Sequence, residues 1–246
     1  ILGSRMVPTP EEIRASFKQG QKFYASEDYE QAIETFEEIN AIESSLLSTD
    51  EITEEIGEIQ APIKEIALYQ TGNSYFKQGE ETQFKSRRAR EPKLKEELAV
   101  AAKEDFEKAA EFFGRSESTS ATAKLKALAR NRLVTTLYES EDFDGVAKEG
   151  QIFEDRYPNS PWLVNVLYNV GWADFDNERY PECIEVYQRL IRHFPQGFQA
   201  DRSLFQIAEA YYKQEKYEEA IPWYRDVVDR QGIEQMSERD LLRMRR

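Results

Sequence analysis

The chain of 246 residues carries one cysteine, Cys183, and one histidine, His193. A lone cysteine cannot close an intrachain disulfide, so cysteine usage fixes no redox compartment. A metal site or an acid–base couple built on histidine needs a second such group, which the chain lacks. His193 precedes Phe194-Pro195 and reads as a helix C-terminal residue set favourably against the helix dipole. No run of about 18 apolar residues occurs, which excludes a helix spanning a membrane. No stretch alternates with period two for long enough to indicate a sheet. Glycine-rich phosphate loops and metal-ligand spacings are also missing, and paired acids such as Glu37-Glu38 and Glu54-Glu55 read as solvated helix faces. The sequence therefore contains no catalytic constellation, and no cofactor or metal is expected.

Charge is abundant and uneven. Charged residues make up 33% of the chain, and the formal net charge is −14. An acidic surface repels phosphate, so non-specific nucleic-acid binding by the whole chain is not expected, and no nucleic-acid partner is expected. From Glu11 to Glu58 there are 14 acids and three bases, a net of −11. From Lys85 to Lys95 the balance reverses to six bases and one acid, a net of +5. The opening Ile1 to Met6 shows neither the charged region nor the apolar region of a signal peptide, and residues 1–9 read as tag or linker sequence.

Helical signals begin at Thr9-Pro10-Glu11-Glu12, which offers a Thr N-cap, a Pro at the first helical position and a Glu at the third. From there a pattern recurs. Tyr29-Glu30-Gln31-Ala32-Ile33 returns as Tyr180-Pro181-Glu182-Cys183-Ile184 and as Tyr217-Glu218-Glu219-Ala220-Ile221. A second aromatic follows the small residue by four, giving Tyr29/Ala32/Phe36, Tyr180/Cys183/Tyr187 and Tyr217/Ala220/Tyr224. Spacings of three and four place all three on one helical face. Cys183 thus stands where a small buried side chain packs. Upstream of each motif a helix carries its own small residue, Gly20, Gly171 or Ala208, and the linking turns are short and polar. Tyr157-Pro158 and Phe194-Pro195 lie 37 residues apart, as do Tyr180 and Tyr217, the mark of a helix-pair array.

These residues resemble the tetratricopeptide repeat (TPR). The matching positions are Gly20, Phe23, Ala32 and Phe36, then Gly72, Tyr75, Ala102, Phe106 and Ala109, then Phe143, Val146, Phe153 and Pro158. Gly171, Tyr180, Cys183, Tyr187 and Pro195 follow, and finally Ala208, Tyr211, Ala220 and Tyr224. The resemblance implies an all-α fold, a right-handed superhelical solenoid of antiparallel helix pairs, with about five repeats plus a C-terminal helix. The expected units are 10–46, 47–113, a divergent 121–158, 161–195 and 198–232. The second holds a basic insert at about 78–95, some 18 extra residues between Phe76 and Ala102. Residues 44–62 lengthen the first connection, Gly114 to Thr122 reads as a flexible loop, and 236–246 reads as a cap or the start of a sixth unit.

In TPR proteins the first helix of each pair lines the concave surface, and the same is implied here. Along those helices Phe17 and Tyr24, Tyr69 and Phe76, Tyr168 and Phe175, and Phe205 and Tyr212 each stand two turns apart on one stripe. Asn131 and Tyr138 hold the matching places in the third unit, with Asn73, Asn165 and Trp172 on or beside the stripe. An aromatic groove with amide side chains fits an extended or helical peptide, and packing between first helices is the competing reading. The clamp of eukaryotic TPR co-chaperones is not matched, because Phe17 and Gln21 stand where its Lys and Asn would be. Lys85, Arg87, Arg88, Arg90, Lys93 and Lys95 form a second candidate site, suited to an acidic partner or to anionic lipid through peripheral membrane association.

The turns Tyr157-Pro158-Asn159-Ser160 and Phe194-Pro195-Gln196 resemble those of bacterial cell-envelope TPR proteins of the BamD-like and Tol-Pal-associated periplasmic types. The expectation is a non-catalytic scaffold that docks a protein or peptide partner in the bacterial periplasm or at the outer membrane. A cytosolic TPR adaptor and a non-catalytic arm of a larger enzyme or secretion assembly are the alternatives.

Overall fold

Helix signals dominate the sequence, and the computed structural model describes residues 8–42 and 52–230 as ten helices and one small hairpin. They fall into two units, 1–140 and 141–246. The expected sixth unit or cap at 236–246 lies outside the described residues.

The first unit opens with α1 (Pro10–Ala25) and α2 (Tyr29–Ala41). The capping box forms as its residue types require: Glu12 N–H donates to Thr9 Oγ1 at 3.2 Å, and Thr9 N–H donates to Glu12 Oε2 at 2.7 Å. A hairpin follows, β1 (Thr53–Ile56) antiparallel to β2 (Ile59–Pro62), with Ile56 facing Ile59. This corrects the expectation of a plain connection without sheet. The strands are only four residues long, too short to show a period of two, and their turn depends on Gly57 at φ 57°. Ile52, Ile59 and Ala61 are buried, and the hairpin lies against α3 (Ile63–Arg88).

Helix α3 runs for 26 residues and packs along α2 and α4 (Pro92–Thr119), which runs for 28. The basic insert is therefore no loop, because it lengthens two helices that pair with each other. Gly114 through Thr119 also continue α4, correcting the expectation of a flexible loop there. Only Ser120 to Thr122 separate α4 from α5 (Ala123–Glu139), and one carboxylate holds that corner. Glu65 accepts from the Ser120 hydroxyl, from Ala121 N–H at 2.9 Å and from Thr122 N–H at 3.4 Å.

The second unit comprises α6 (Phe143–Arg156), α7 (Leu163–Asp176), α8 (Tyr180–His193), α9 (Phe198–Lys213) and α10 (Tyr217–Asp229), each packed on the next. Arg179 ties α6 to α7, donating to Asp144 at 2.7 Å and to the buried Asp174 at 2.9 Å.

One packing rule repeats through both units. A first-helix ring meets the motif aromatic of its own second helix: Phe17 with Phe36, Tyr168 with Tyr187, and Phe205 with Tyr224, centroids 5.5 to 6.1 Å apart. Two turns on, Tyr24 meets Tyr29, Phe175 meets Tyr180, and Tyr212 meets Tyr217. In the long pair the partners become Tyr69 with Phe113 and Phe76 with Phe106. Both pairings stand 25 residues further apart in sequence than their counterparts. The added length is thus 25 residues, with Phe113 in the place of Phe36.

Candidate partner-binding face

Helix α7 presents a row of rings. Its Leu163, Val166, Leu167, Val170 and Ala173 are buried, which turns Asn165, Tyr168, Trp172 and Phe175 toward the less covered side. These rings contact in sequence: Tyr187 to Tyr168 at 6.1 Å, Tyr168 to Trp172 at 6.2 Å, Trp172 to Phe175 at 6.0 Å, and Phe175 to Tyr180 at 5.5 Å. Most are edge-to-face, the geometry aromatic quadrupoles favour. Tyr187 anchors the row because its ring is fully buried, and the other four are half-buried. Helix α9 continues the face with Phe205, half-buried, and Tyr212, 53% exposed. Gln199 Nε2 donates to Asn165 Oδ1 at 3.1 Å and bridges the two first helices.

In the first unit the expected row divides. Phe17, Tyr69, Phe76, Asn73 and Asn131 are buried, so they belong to the packing within this unit and leave the accessible face. Asn73 Nδ2 donates to Gln70 Oε1 at 2.9 Å, a local bond along its own helix. Tyr24 and Tyr138 are half-buried. Arg132 escaped the sequence reading, although its guanidinium lies 4.2 Å from the Phe76 centroid and 5.6 Å from that of Phe113. It stacks on Phe76, which the stripe spacing placed on the expected groove, and on Phe113, and no sequence signal marks a cation as their cover.

A cleft of about 570 Å³ lies among α2, α3 and α4, lined by Ile33, Tyr75 and Gln78 with the carboxylates of Glu30, Glu34, Glu37, Glu104 and Asp105. Burial pushes the Asp105 carboxyl above its ordinary range, opposed by the hydrogen bond from Gln78 Nε2 at 2.9 Å. Burial and the neighbouring Glu37 push the Tyr75 hydroxyl up to about 12. Of these acids Glu37 belongs to the Glu37-Glu38 pair expected on a solvated face, and residues from three helices meet here only after packing.

The expected basic residues fall on the end of the α3–α4 pair. Lys85, Arg87 and Arg88 occupy the last turn of α3, Arg90 the link, and Lys93 and Lys95 the start of α4. Cys183 is fully buried, and that burial pushes its thiol up, away from the reactive thiolate. Among the described residues no group of three or more His, Cys, Asp or Glu could hold a metal, and no helix is long and apolar enough to cross a membrane.

Comparison with protein families matches residues 168–232 to the family described as Tetratricopeptide repeat. No curated protein sequence matches the chain. Among solved structures the chain is similar to MamA AMB-1, at 15% identity over 95% of this chain and 98% of that one, with a TM-score of 0.56. It is similar to RapI in its apo form at 12% identity and a TM-score of 0.59, covering 91% of this chain and 55% of that one. It is also similar to PilF of Pseudomonas aeruginosa, at 16% identity over 95% of this chain and 82% of that one, with a TM-score of 0.51. The chain therefore has an all-α helix-pair fold of the tetratricopeptide-repeat kind, with residues 168–232 matching the repeat family in sequence.

Proposed function

We propose that the chain is a non-catalytic interaction module that seats a protein or peptide partner on the first-helix face of α7 and α9, within a bacterial cell-envelope complex. The observation that carries this reading is the continuous row of half-buried rings from Tyr168 to Phe175, anchored on the buried Tyr187. Rings locked by their neighbours supply contact area at little entropic cost. Asn165 and Gln199 place amide groups at one end of the row, where they can pair with a partner backbone. The turns Tyr157-Pro158-Asn159-Ser160 and Phe194-Pro195-Gln196, similar to those of envelope TPR proteins, support the compartment.

The test is site-specific photocrosslinking in the native cell, with the probe placed at Tyr212 and, as control, at Glu185 on the outer side of α8. A discrete protein adduct from position 212 that is absent from position 185 supports the face. Equal adducts from both positions, or none from 212, would reject it. Fractionation of the adduct between periplasm and cytoplasm separates the envelope reading from a cytosolic adaptor.

A further inference from the structure

We propose that the free end of the α3–α4 hairpin docks on an anionic lipid surface. Past the Phe76–Phe106 contact, α3 continues for a dozen residues, about 18 Å at 1.5 Å per residue, before the chain turns back into α4. Every residue from Arg90 to Glu97 is exposed. The two helices are tied near this end by the Ser86 hydroxyl, which donates to the Lys95 carbonyl at 2.8 Å, so the tip is presented as one ordered body.

Its charge is concentrated and available. Lys85, Arg87, Arg88, Arg90, Lys93 and Lys95 stand against the single acid Glu91 within 85–95. Lys85 meets Glu81 at 2.6 Å and Lys93 meets Glu97 at 3.7 Å, both at exposed sites where such pairs hold little energy and exchange readily. Arg87, Arg90 and Lys95 form no ion pair among the described residues. The carboxylates of α1 and α2 would repel an anionic surface. Along α3 the tip cations begin at Lys85, nine residues past Phe76, about 14 Å at 1.5 Å per residue and more than one Debye length at physiological ionic strength.

The tip also exposes apolar side chains, and this favours lipid over an acidic protein. Phe84, Leu94 and Val100 are exposed large hydrophobics, and the Arg88 guanidinium lies 5.2 Å from the Phe84 ring. Cations that reach anionic headgroups beside rings and aliphatic groups that enter the headgroup–acyl boundary are the chemistry of interfacial binding.

Cosedimentation of the full chain with vesicles of phosphatidylglycerol and phosphatidylcholine in equal parts, at low salt, tests the proposal. Binding is expected to these vesicles and not to pure phosphatidylcholine. Arg87→Glu with Arg88→Glu and Arg90→Glu should weaken it at least about tenfold. Phe84→Ser with Leu94→Ser should weaken it several-fold while keeping its salt dependence. All five side chains are exposed, so circular dichroism should show both variants folded. Failure of the wild type to bind the anionic vesicles overturns the proposal. Equal binding to polyglutamate that ignores Phe84→Ser and Leu94→Ser also overturns it, by identifying an acidic polypeptide as the partner.

Discussion

A Cβ placed on Gly171 would stand 2.4 Å from Cε1 of Tyr187. That ring is fully buried and itself contacts Tyr168, so it has no room to retreat. Gly171→Ala should therefore destabilise the second unit by about 1–3 kcal/mol despite the better helix propensity of Ala. Gly114 is the contrast, helical with nothing within 4 Å of an added Cβ. Gly114→Ala should stabilise by about 0.5–1 kcal/mol. Urea denaturation of both variants checks the opposite signs.

Four turns between paired helices place a glutamate in the left-handed region: Glu27 at φ 64°, Glu141 at 62°, Glu178 at 57° and Glu215 at 59°. In three of them the next residue closes the helix end by donating its N–H five residues back: Asp28 to Phe23, Arg179 to Asp174 and Lys216 to Tyr211. An L side chain in this region costs about 1–2 kcal/mol, which glycine avoids. Glu178→Gly and Glu215→Gly should each raise the melting temperature, whereas Gly57→Ala at φ 57° should lower it. Calorimetry distinguishes these outcomes.

Arg130 Nη2 and Glu117 Oε2 lie 3.1 Å apart, with both side chains 8% exposed, and join α5 to α4. Removing either partner takes this ion pair away from the buried charge of the other, so Glu117→Leu or Arg130→Met alone should cost about 3–5 kcal/mol. The double variant should recover most of that loss. A double-mutant cycle by chemical denaturation measures the coupling, and additive losses would contradict it.

Asp105 supplies a pH dependence. Burial raises its folded-state pKa above the ordinary value, so the folded chain holds the proton more tightly than the unfolded chain. Its share of stability is present below the unfolded pKa and is lost as pH rises through the raised one. Asp105→Asn does not titrate and still offers an acceptor to Gln78. The variant should gain stability over the wild type at pH 7, and the gap should close as pH falls below the ordinary aspartate range. Asp174 shifts in the same direction in both proteins and cancels in the difference.

Tyr212 and Phe17 occupy like stripes with opposite exposure. Tyr212→Ala together with Tyr168→Ala should weaken partner capture about tenfold or more. Tyr212→Ala alone should shift stability by no more than about 0.5 kcal/mol. Phe17→Ala should cost about 3–5 kcal/mol in the first unit, because the ring is fully buried against Phe36. Thermal melts run beside the capture assay separate the two effects.

The repeat motif was legible because its spacing of three and four residues is local. Thr9, Gly20, Ala32 and Phe36 all take the parts their types imply. In the long pair, reading Ala102 and Phe106 as the matches for Ala32 and Phe36 slips by seven residues. Gly72 lies under Phe113, as Gly20 lies under Phe36, and Gly79 lies under Phe106. Seven residues is two helical turns, so both alignments put an aromatic on the same face and periodicity cannot separate them. The hairpin was hidden for a related reason, since four-residue strands carry too few alternations to register.

Sequence alone determined the helical class, the 37-residue spacing of the last two repeats and the acidic and basic blocks, because each is read from residue types and their spacing along the chain. Tertiary packing decided which of the first-helix rings stay accessible. Ile184 and Ile221 occupy equivalent motif positions 37 residues apart, yet one is 7% exposed and the other 53%. Ile184 stands on α8, which packs against both α7 and α9. The motif chooses the side chain, but its burial depends on which helix lies beside it, and that is a property of the assembled chain.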